Sequence, residues 1–186
     1  METDISKKIL EELKLKNVDK ENKKLIICFA GIPCSGKTCL AKKIEKRYRG
    51  VRISNDAVRK ILAKSVKVEE KREKILQKWL LNFLEKYPFK NKLVILDSGI
   101  ERKYSEIVKI VKHKKWKMFI IRVVEKKETI LKRIKKKDRN RFENRYEDIV
   151  RWFREFKEFN KRVKPDFIFK KNSDLKKLFV KLDKIN

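Results

Sequence analysis

The stretch GIPCSGKT at residues 31–38 constrains the fold of this 186-residue chain more than any other feature. It matches the pattern G-x-x-x-x-G-K-[ST] at every defined position. The run Lys24 to Ala30, apolar after its first residue, precedes it and predicts a strand buried on both faces. Leu40, Ala41 and Ile44 follow with helical spacing. A phosphate-binding loop needs this order of strand, glycine-containing loop and helix.

The residue types in this stretch suit the binding of a nucleotide. Glycines let successive backbone N–H groups face a phosphate, and the helix N-terminus adds its dipole. A lysine reaches the β- and γ-phosphates, and a hydroxyl binds Mg²⁺. The stretch therefore predicts ATP and Mg²⁺ as cofactors. We expect the nucleotide to be bound by Gly31, Pro33, Cys34, Ser35, Gly36, Lys37, Thr38 and Cys39.

A second apolar run, Leu93 to Leu96, ends in the carboxylate of Asp97. Phosphoryl-transfer proteins with the same loop take an aspartate of the Mg²⁺ shell from the end of another strand. The alternative is an ordinary aspartate that caps the next turn. Because the loop lies upstream, we interpret Thr38 and Asp97 as the metal-associated pair, with Asp97 acting through a metal-bound water.

An aspartate and an arginine, Asp56 and Arg59, follow the predicted strand Val51 to Ile53 at the start of a helix. Residues three apart share one helix face. In the functional interpretation, Asp56 is a base for an acceptor hydroxyl beside a cation for a substrate phosphate. In the structural one, it is a helix N-cap whose ion pair contributes a few tenths of a kcal/mol. The spacing alone leaves both open.

Strand patterns alternate along the chain with helix-length amphipathic segments, which predicts a doubly wound α/β sheet with right-handed crossovers. A short helix over Ile5 to Leu15 is expected before it. We predict an N-terminal helical extension at residues 1–23 and one catalytic domain at 24–186. The five predicted strands are Lys24 to Ala30, Val51 to Ile53, Leu93 to Leu96, Lys117 to Val124 and Asp166 to Phe169.

The charge balance is strongly basic, with 55 Lys and Arg against 26 Asp and Glu, a formal net charge of +29. Such a surplus attracts polyanions, so RNA or another nucleic acid is the first partner to consider. A lysine-rich compositional bias is the alternative. Glutamate does not keep pace with lysine, which favours the polyanionic partner.

Cysteine usage and hydropathy indicate the compartment. Three cysteines and one histidine are too few for a disulfide framework or a full metal set. No window approaches the roughly 18 uninterrupted apolar residues of a membrane span, and the N-terminus lacks the apolar centre of a signal peptide. We expect a cytoplasmic chain without a membrane segment, and the sequence leaves its oligomeric state open.

These motifs together resemble one family. GIPCSGKT after a strand, SNDAVR, VILD and an arginine-rich segment look like the P-loop kinases related to polynucleotide 5′-hydroxyl kinases, zeta-toxin-type kinases, chloramphenicol phosphotransferases and seryl-tRNA kinases. The resemblance covers roughly residues 24–182. It implies a three-layer α/β/α sandwich with a five-stranded parallel sheet in the order 2-3-1-4-5 and a helical lid. It also implies that Lys37 and Thr38 serve nucleotide and Mg²⁺, that Asp56 is the general base, and that Arg59 holds the acceptor.

The lid of such kinases corresponds here to about residues 132–148. Its cations can stabilise the charge that develops during phosphoryl transfer. Arg133 and Arg139 are the expected catalytic cations, although several lysines of the segment belong to a solvated face. Eight basic side chains lie between residues 132 and 145, namely Lys132, Arg133, Lys135, Lys136, Lys137, Arg139, Arg141 and Arg145.

Two positions depart from the resemblance. Relatives commonly carry glycine where this chain has Cys34, which requires either a loop that tolerates a side chain or an altered nucleotide site. The usual lid pair of arginines four residues apart is here Arg133 and Lys137.

An aromatic stripe at Trp152, Phe153, Phe156 and Phe159 has helical spacing. Among arginines, such a stripe could stack nucleic-acid bases. Its periodicity favours packing against the sheet instead.

The sequence thus predicts a kinase that transfers the γ-phosphate of ATP to a hydroxyl acceptor, with RNA or another nucleic acid as the leading acceptor. A small-molecule kinase acting on a nucleoside, nucleotide or metabolite is the first alternative. A nucleic-acid-binding ATPase or switch without a phosphorylated product is the second. An acceptor kinase needs Asp56 and a closing lid, whereas a switch needs only the loop, the metal and the basic surface.

Overall fold

The computed structural model describes residues 7–11, 24–86, 93–137 and 146–185. Its centre is a five-stranded sheet in the order β2-β3-β1-β4-β5. All neighbouring strands are parallel. This confirms the predicted fold class and strand order. The strands are β1 (Leu25–Ala30), β2 (Val51–Ser54), β3 (Val94–Gly99), β4 (Lys117–Val123) and β5 (Phe167–Phe169).

Helices connect the strands and cover the sheet. Helix α1 is described at residues 7–11. Within the described ranges, no helix is long and apolar enough to span a bilayer. The remaining helices are α2 (Lys37–Tyr48), α3 (Asn55–Ala63), α4 (Glu69–Lys86), α5 (Tyr104–His113), α6 (Lys127–Lys137), α7 (Tyr146–Arg162) and α8 (Asp174–Asp183).

Strand β1 is buried along its whole length because its alternate side chains enter two different cores. Ile26, Cys28 and Ala30 join a core with side chains of α3, α4, α5 and α7. Leu25, Ile27 and Phe29 join a second core with side chains of α2 and α8. A central strand with helices on both faces has no solvated side, which explains its continuous apolar sequence.

The N-terminal segment contributes to the first of these cores. Ile9 is fully buried there, and the neighbouring Leu10 packs against the same cluster. The helix predicted over Ile5 to Leu15 is described at residues 7–11. The division of the chain at residue 23 stays a prediction.

Part of the aromatic stripe of α7 packs in a core that includes strand residues, as its periodicity predicted. Phe159 is buried in the core that contains α3, α4 and α5, and its ring meets that of Tyr104 edge-on at 5.4 Å between centroids. Trp152, Phe153 and Phe156 are partly buried against a small cluster that includes Ile149. The stripe anchors α7 beside the loop that follows β3.

We expect Ile9→Ala to lower the free energy of unfolding by about 2–4 kcal/mol, because it removes buried methylene groups and leaves a cavity. Urea denaturation of the full chain measures the change. Val68→Ala is the control, since Val68 is 57% exposed and its truncation should cost less than about 0.5 kcal/mol. Equal small effects for the two variants would contradict the packing of the N-terminal segment.

Candidate active site

The loop between β1 and α2 depends on two glycines. Gly36 has a φ of 106°, which residues with a side chain rarely adopt. At Gly31 an added Cβ would lie 2.8 Å from the Val123 carbonyl oxygen and 2.9 Å from Ser35 Oγ. The motif therefore needs glycine at one position for its dihedral angle and at the other for close approach of the backbone.

Cys34 occupies a left-handed position in the same loop, with a φ of 66°. A side chain in that conformation costs about 1–2 kcal/mol relative to glycine. This accounts for the glycine that the resemblance led us to expect. The loop still closes its turn, because the Ser35 N–H donates to the Ile32 carbonyl oxygen at 3.1 Å.

Lys37 begins α2 and folds back over the loop. Its Nζ donates to the carbonyl oxygens of Gly31 at 2.5 Å and Ile32 at 2.9 Å. Burial lowers the pKa of Lys37, and the nearby carboxylates of Glu101, Asp97 and Asp56 oppose that effect. The loop thus carries a cation at its rim, and three carboxylates lie near enough to act on it.

The two predicted metal-associated residues are in direct contact. Thr38 Oγ1 donates to Asp97 Oδ1 at 2.9 Å, because β1 and β3 are parallel neighbours whose carboxyl ends meet at one edge of the sheet. A hydroxyl and a carboxylate are oxygen donors of the kind that Mg²⁺ takes from proteins when nucleotide phosphates complete its shell. The pair therefore fits the predicted metal chemistry.

Arg52 holds the other oxygen of this carboxylate. Its Nη1 donates to Asp97 Oδ2 at 2.8 Å and its Nε donates to Glu45 Oε2 at 2.6 Å. The Asp97 side chain is 1% exposed, so these contacts replace water around a buried charge. Sequence reasoning missed Arg52. The sequence feature that could have identified it is an arginine within an otherwise apolar predicted strand.

Asp56 and Arg59 pair as their spacing predicted, with Arg59 Nη1 2.7 Å from Asp56 Oδ1. Arg59 also donates from Nε and Nη2 to both carboxylate oxygens of Glu73, at 2.5 and 3.2 Å. The Asp56 side chain is 62% exposed. Interpreting Asp56 as the helix N-cap is wrong, since Ser54 caps α3 by accepting from the Ala57 N–H. Asp56 lies in the first turn, where its carboxylate is exposed and pairs with Arg59.

Arg133, on α6, reaches the loop from the lid side. Its Nη1 donates to the Cys34 carbonyl oxygen at 3.0 Å, and its Nη2 lies 3.0 Å from Glu125 Oε2. The structure therefore brings one predicted lid cation to the phosphate-binding loop. Arg139, the other one, lies outside the described residues.

A family model described as an AAA domain matches residues 26–159. The chain belongs to the AAA domain family. This match spans the loop, Asp56, Asp97 and α6, so the P-loop nucleotide-binding type predicted from the sequence is confirmed at the level of the family. No curated protein matches the sequence.

Solved structures with the same fold include three kinases. The APS kinase of Mycobacterium tuberculosis has 10% identity and a TM-score of 0.55, with 85% of this chain and 96% of that chain covered. The shikimate kinase of Acinetobacter baumannii has 12% identity, a TM-score of 0.56 and coverages of 87% and 94%. The deoxyadenosine kinase of M. mycoides has 18% identity, a TM-score of 0.51 and coverages of 86% and 99%. At these identities the likeness concerns the fold alone.

In this AAA domain a second carboxylate, that of Glu101, contacts the loop. Its Oε1 accepts the Gly31 N–H at 2.6 Å, and burial raises the pKa of the Glu101 carboxyl group. Sequence reasoning missed it, although it follows Asp97 by four residues. It also lines a pocket of about 300 Å³. The pocket lies between the turn after β3 and helix α7, and its other lining residues are Arg102, Arg154, Glu155, Glu158 and Arg162.

Lys103 is a further titratable group near this region. Burial lowers its pKa to about 8, while the carboxylate of Glu73 raises it and the guanidinium of Arg59 lowers it. Lys103 is therefore affected by the charges of Glu73 and Arg59, and Arg59 also pairs with Asp56. Nothing in its sequence context indicated a perturbed lysine, because its surroundings come from α3 and α4.

We expect Arg52→Met to lower the free energy of unfolding by about 3 kcal/mol, because it leaves a buried carboxylate without its cation. Chemical denaturation at pH 7 measures this. Arg151→Met is the matched control, since Arg151 pairs with Asp148 while 45% exposed, and exposed pairs contribute about 1 kcal/mol or less. A loss below 1 kcal/mol in both variants would mean that Arg52 does not support Asp97.

Proposed function

We propose that this chain is an ATP- and Mg²⁺-dependent kinase that transfers the γ-phosphate to a hydroxyl group. The observation that carries the proposal is the convergence of three elements at one sheet edge. They are Lys37 on the loop, the Thr38–Asp97 contact of 2.9 Å, and the exposed carboxylate of Asp56, which lies two residues after the Ser54 that pairs with Asp97 in the sheet. A nucleotide-binding switch needs the first two and has no use for an exposed acceptor-side carboxylate.

The nucleotide half of the proposed site uses backbone and side chains of the loop. The Gly31 and Ser35 N–H groups bond Glu101 and the Ile32 carbonyl oxygen, so the phosphates are bound by the other N–H groups of the loop. Lys37 exchanges its carbonyl partners for phosphate oxygens. Thr38 and Asp97 would hold Mg²⁺, which would neutralise charge on the nucleotide phosphates. Arg52 keeps Asp97 oriented toward Thr38 by occupying its second oxygen.

The acceptor half centres on Asp56. Asp56 takes the proton of the acceptor hydroxyl as that oxygen forms a bond to the γ-phosphorus. The bond between the γ-phosphorus and the β–γ bridging oxygen breaks, and ADP leaves with the electron pair. Arg59 holds Asp56 in place, and Arg133 lies at the loop where charge develops. The proton passes from Asp56 to solvent after transfer.

A hydroxyl of RNA or another nucleic acid is the proposed acceptor. The support is the net charge of +29 together with the resemblance to polynucleotide, zeta-toxin-type and seryl-tRNA kinases. A small-molecule acceptor is the second candidate, because the pocket of about 300 Å³ beside Glu101 has the size of a small ligand. The three kinases with this fold are named for small molecules, which also favours that candidate.

Label transfer tests the activity. The protein is incubated with γ-labelled ATP, Mg²⁺ and, separately, 5′-hydroxyl RNA, 5′-hydroxyl DNA, tRNA, nucleosides and shikimate. Label on a nucleic acid supports the leading acceptor, and label on a small molecule supports the second. Release of labelled phosphate without any labelled acceptor, equal in the presence and absence of nucleic acid, would overturn the kinase assignment.

We expect ATP with Mg²⁺ to stabilise the native state by about 2.7 kcal/mol at a hundredfold excess over Kd, since a ligand that binds only the folded chain adds RT ln(1 + [L]/Kd). Thermal melts with and without nucleotide measure the shift. Lys37→Ala should lose most of it, and Lys43→Ala, on the same helix but outside the motif, should keep it. An unchanged melting temperature at millimolar ATP would refute nucleotide binding.

Asp56→Asn should lower turnover by about 10² to 10⁴ with ATP affinity unchanged, because asparagine keeps the size of the side chain but cannot take a proton. Stability should change by less than about 0.5 kcal/mol, since Ser54 supplies the cap.

The matched control is Asp148→Asn, which removes a carboxylate from a similar i,i+3 pair with Arg151 in the first turn of α7. It should leave turnover within about twofold of the parent. Near-parental turnover of Asp56→Asn with a verified acceptor would assign the base elsewhere.

A further inference from the structure

The exposed charges of the molecule differ between the two helical layers. On the layer formed by α3, α4, α5 and α7, acidic and basic side chains are mixed, and α4 and α7 carry four acidic residues each. Many of them are paired with bases. The ion pairs of this layer include Arg59–Glu73, Lys74–Glu70, Arg102–Glu155, Arg151–Asp148 and Lys161–Glu158.

The opposite layer, formed by α2 and α8, is different. Helix α2 has one acidic residue and α8 has two. We call the exposed bases of this layer the basic face. It consists of Lys42, Lys46, Arg47, Arg49, Lys170, Lys171, Lys176, Lys177, Lys181 and Lys184.

The three acidic residues of this layer are engaged in local contacts. Glu45 accepts from Arg52 Nε at 2.6 Å. Asp174 accepts the N–H groups of Lys170 and Lys171 at 2.9 and 3.0 Å. The Asp183 carboxylate accepts hydrogen bonds from Arg47 Nη2 and from the Tyr48 hydroxyl. Most of the basic face therefore has no acidic residue left in its layer to neutralise it.

The two helices form one continuous surface. Lys43 Nζ on α2 donates to Asn172 Oδ1 before α8 at 3.0 Å, and Tyr48 OH donates to the Phe179 carbonyl oxygen at 3.2 Å. The Arg47 guanidinium lies 4.7 Å from the centroid of the Phe179 ring. These contacts hold α2 and α8 side by side, so their outer cations keep fixed relative positions.

We propose that the basic face binds the phosphate backbone of a nucleic acid. Helix α2 has 12 residues and is therefore about 18 Å long, a length along which a duplex presents roughly one charge per 1.7 Å. Lysines dominate the face, and a lysine ammonium binds phosphate as a point charge without reading bases. The partner is thus a polynucleotide recognised largely without regard to sequence.

An anionic membrane is the competing partner, and the face suits it less well. A membrane-binding helix exposes a broad apolar side that enters the lipid. Leu178 and Leu182 of α8 are instead buried in the protein core. On α2 and α8, Val180 is the exposed large apolar residue. Charge without an insertable apolar side favours a hydrated polyanion.

The basic face also reaches the edge of the sheet where the loop lies. Helix α2 begins with Lys37 of the loop, while Lys170 and Lys171 directly follow β5. A strand bound along the face can therefore extend toward the candidate site. That extension rests on the proposed kinase function, whereas the binding itself is measured without ATP, so the two can fail separately.

The test compares two triple variants with the same net charge. Lys42, Lys46 and Lys176 of the basic face are changed to Gln in one, and Lys71, Lys109 and Lys112 of α4 and α5 in the other; all six are exposed. A third protein carries Arg at the three basic-face positions. Fluorescence anisotropy follows binding to a labelled 20-nucleotide RNA and a 20-base-pair duplex at 50–300 mM salt, with thermal melts as the folding check.

We expect the basic-face triple to bind at least tenfold more weakly at 100 mM salt. Its slope of log K against log salt should be shallower by about 2 for the single strand and about 3 for the duplex, from 0.7 and 0.9 per phosphate contact. The α4–α5 triple should shift the slope by less than about 1, and the Arg triple should bind like the parent.

Equal losses in the two Gln triples would overturn the assignment, because they would show that only total charge matters. Binding of the parent weaker than millimolar at 50 mM salt would also overturn it. So would binding to phosphatidylserine-containing vesicles without binding to either nucleic acid. Loss of label transfer with nucleic-acid binding retained would instead count against the kinase proposal alone.

Discussion

The pairing of β1 with β3 is the constraint on which the rest of the candidate site depends. Through it, the loop that follows β1 meets side chains of β3 and of the turn after it. Thr38 therefore contacts Asp97, and the Gly31 N–H contacts Glu101. The pairing continues past the strand ends, where the Ile100 N–H donates to the Phe29 carbonyl oxygen at 2.9 Å. Burial of β1 on both faces stabilises this geometry, because a shift of one residue would exchange its two apolar faces between different cores.

Charged side chains occur in two different environments in this molecule. Around the loop, each cation meets a specific oxygen partner: Lys37 the loop carbonyls, Arg52 the carboxylate of Asp97, and Arg133 that of Glu125. Buried or partly buried charges require such partners, and the partners also orient them for chemistry. On α2 and α8 most cations are exposed and few carboxylates are near. Water solvates these side chains, so the fold tolerates them without pairing and leaves them available to a polyanion.

Much of the fold was predictable because it follows from local periodicity. Both ends of each strand lie within three residues of the predicted bounds. Strand β3, for example, is predicted at Leu93 to Leu96 and observed at Val94–Gly99. The amphipathic pattern before Pro165 predicts a helix over Tyr146 to Arg162, and α7 has these bounds. Helix α3 begins at Asn55, because Ser54 rather than Asp56 caps it. Backbone angles decide which of several neighbouring polar residues caps a helix. The sequence alone does not give these angles.

The sequence by itself determined the phosphate-binding loop, the alternation of strands and helices, and the candidate roles of Lys37, Thr38 and Asp97. Each of these features depends on contiguous residues, because a loop motif and a buried strand are both local patterns. Only the tertiary structure decided which distant groups surround them. The register of β1 against β3 shifts between the pairs Cys28–Leu96 and Phe29–Gly99, and Asp97 lies in that irregularity.

Arg52, Glu101 and Lys103 acquire their surroundings in the same way, from elements far away in the chain. The separation of the basic face from the mixed-charge layer is also a tertiary feature. Charge on a helix is visible in sequence, but the side of the sheet on which that helix packs is decided by long-range contacts.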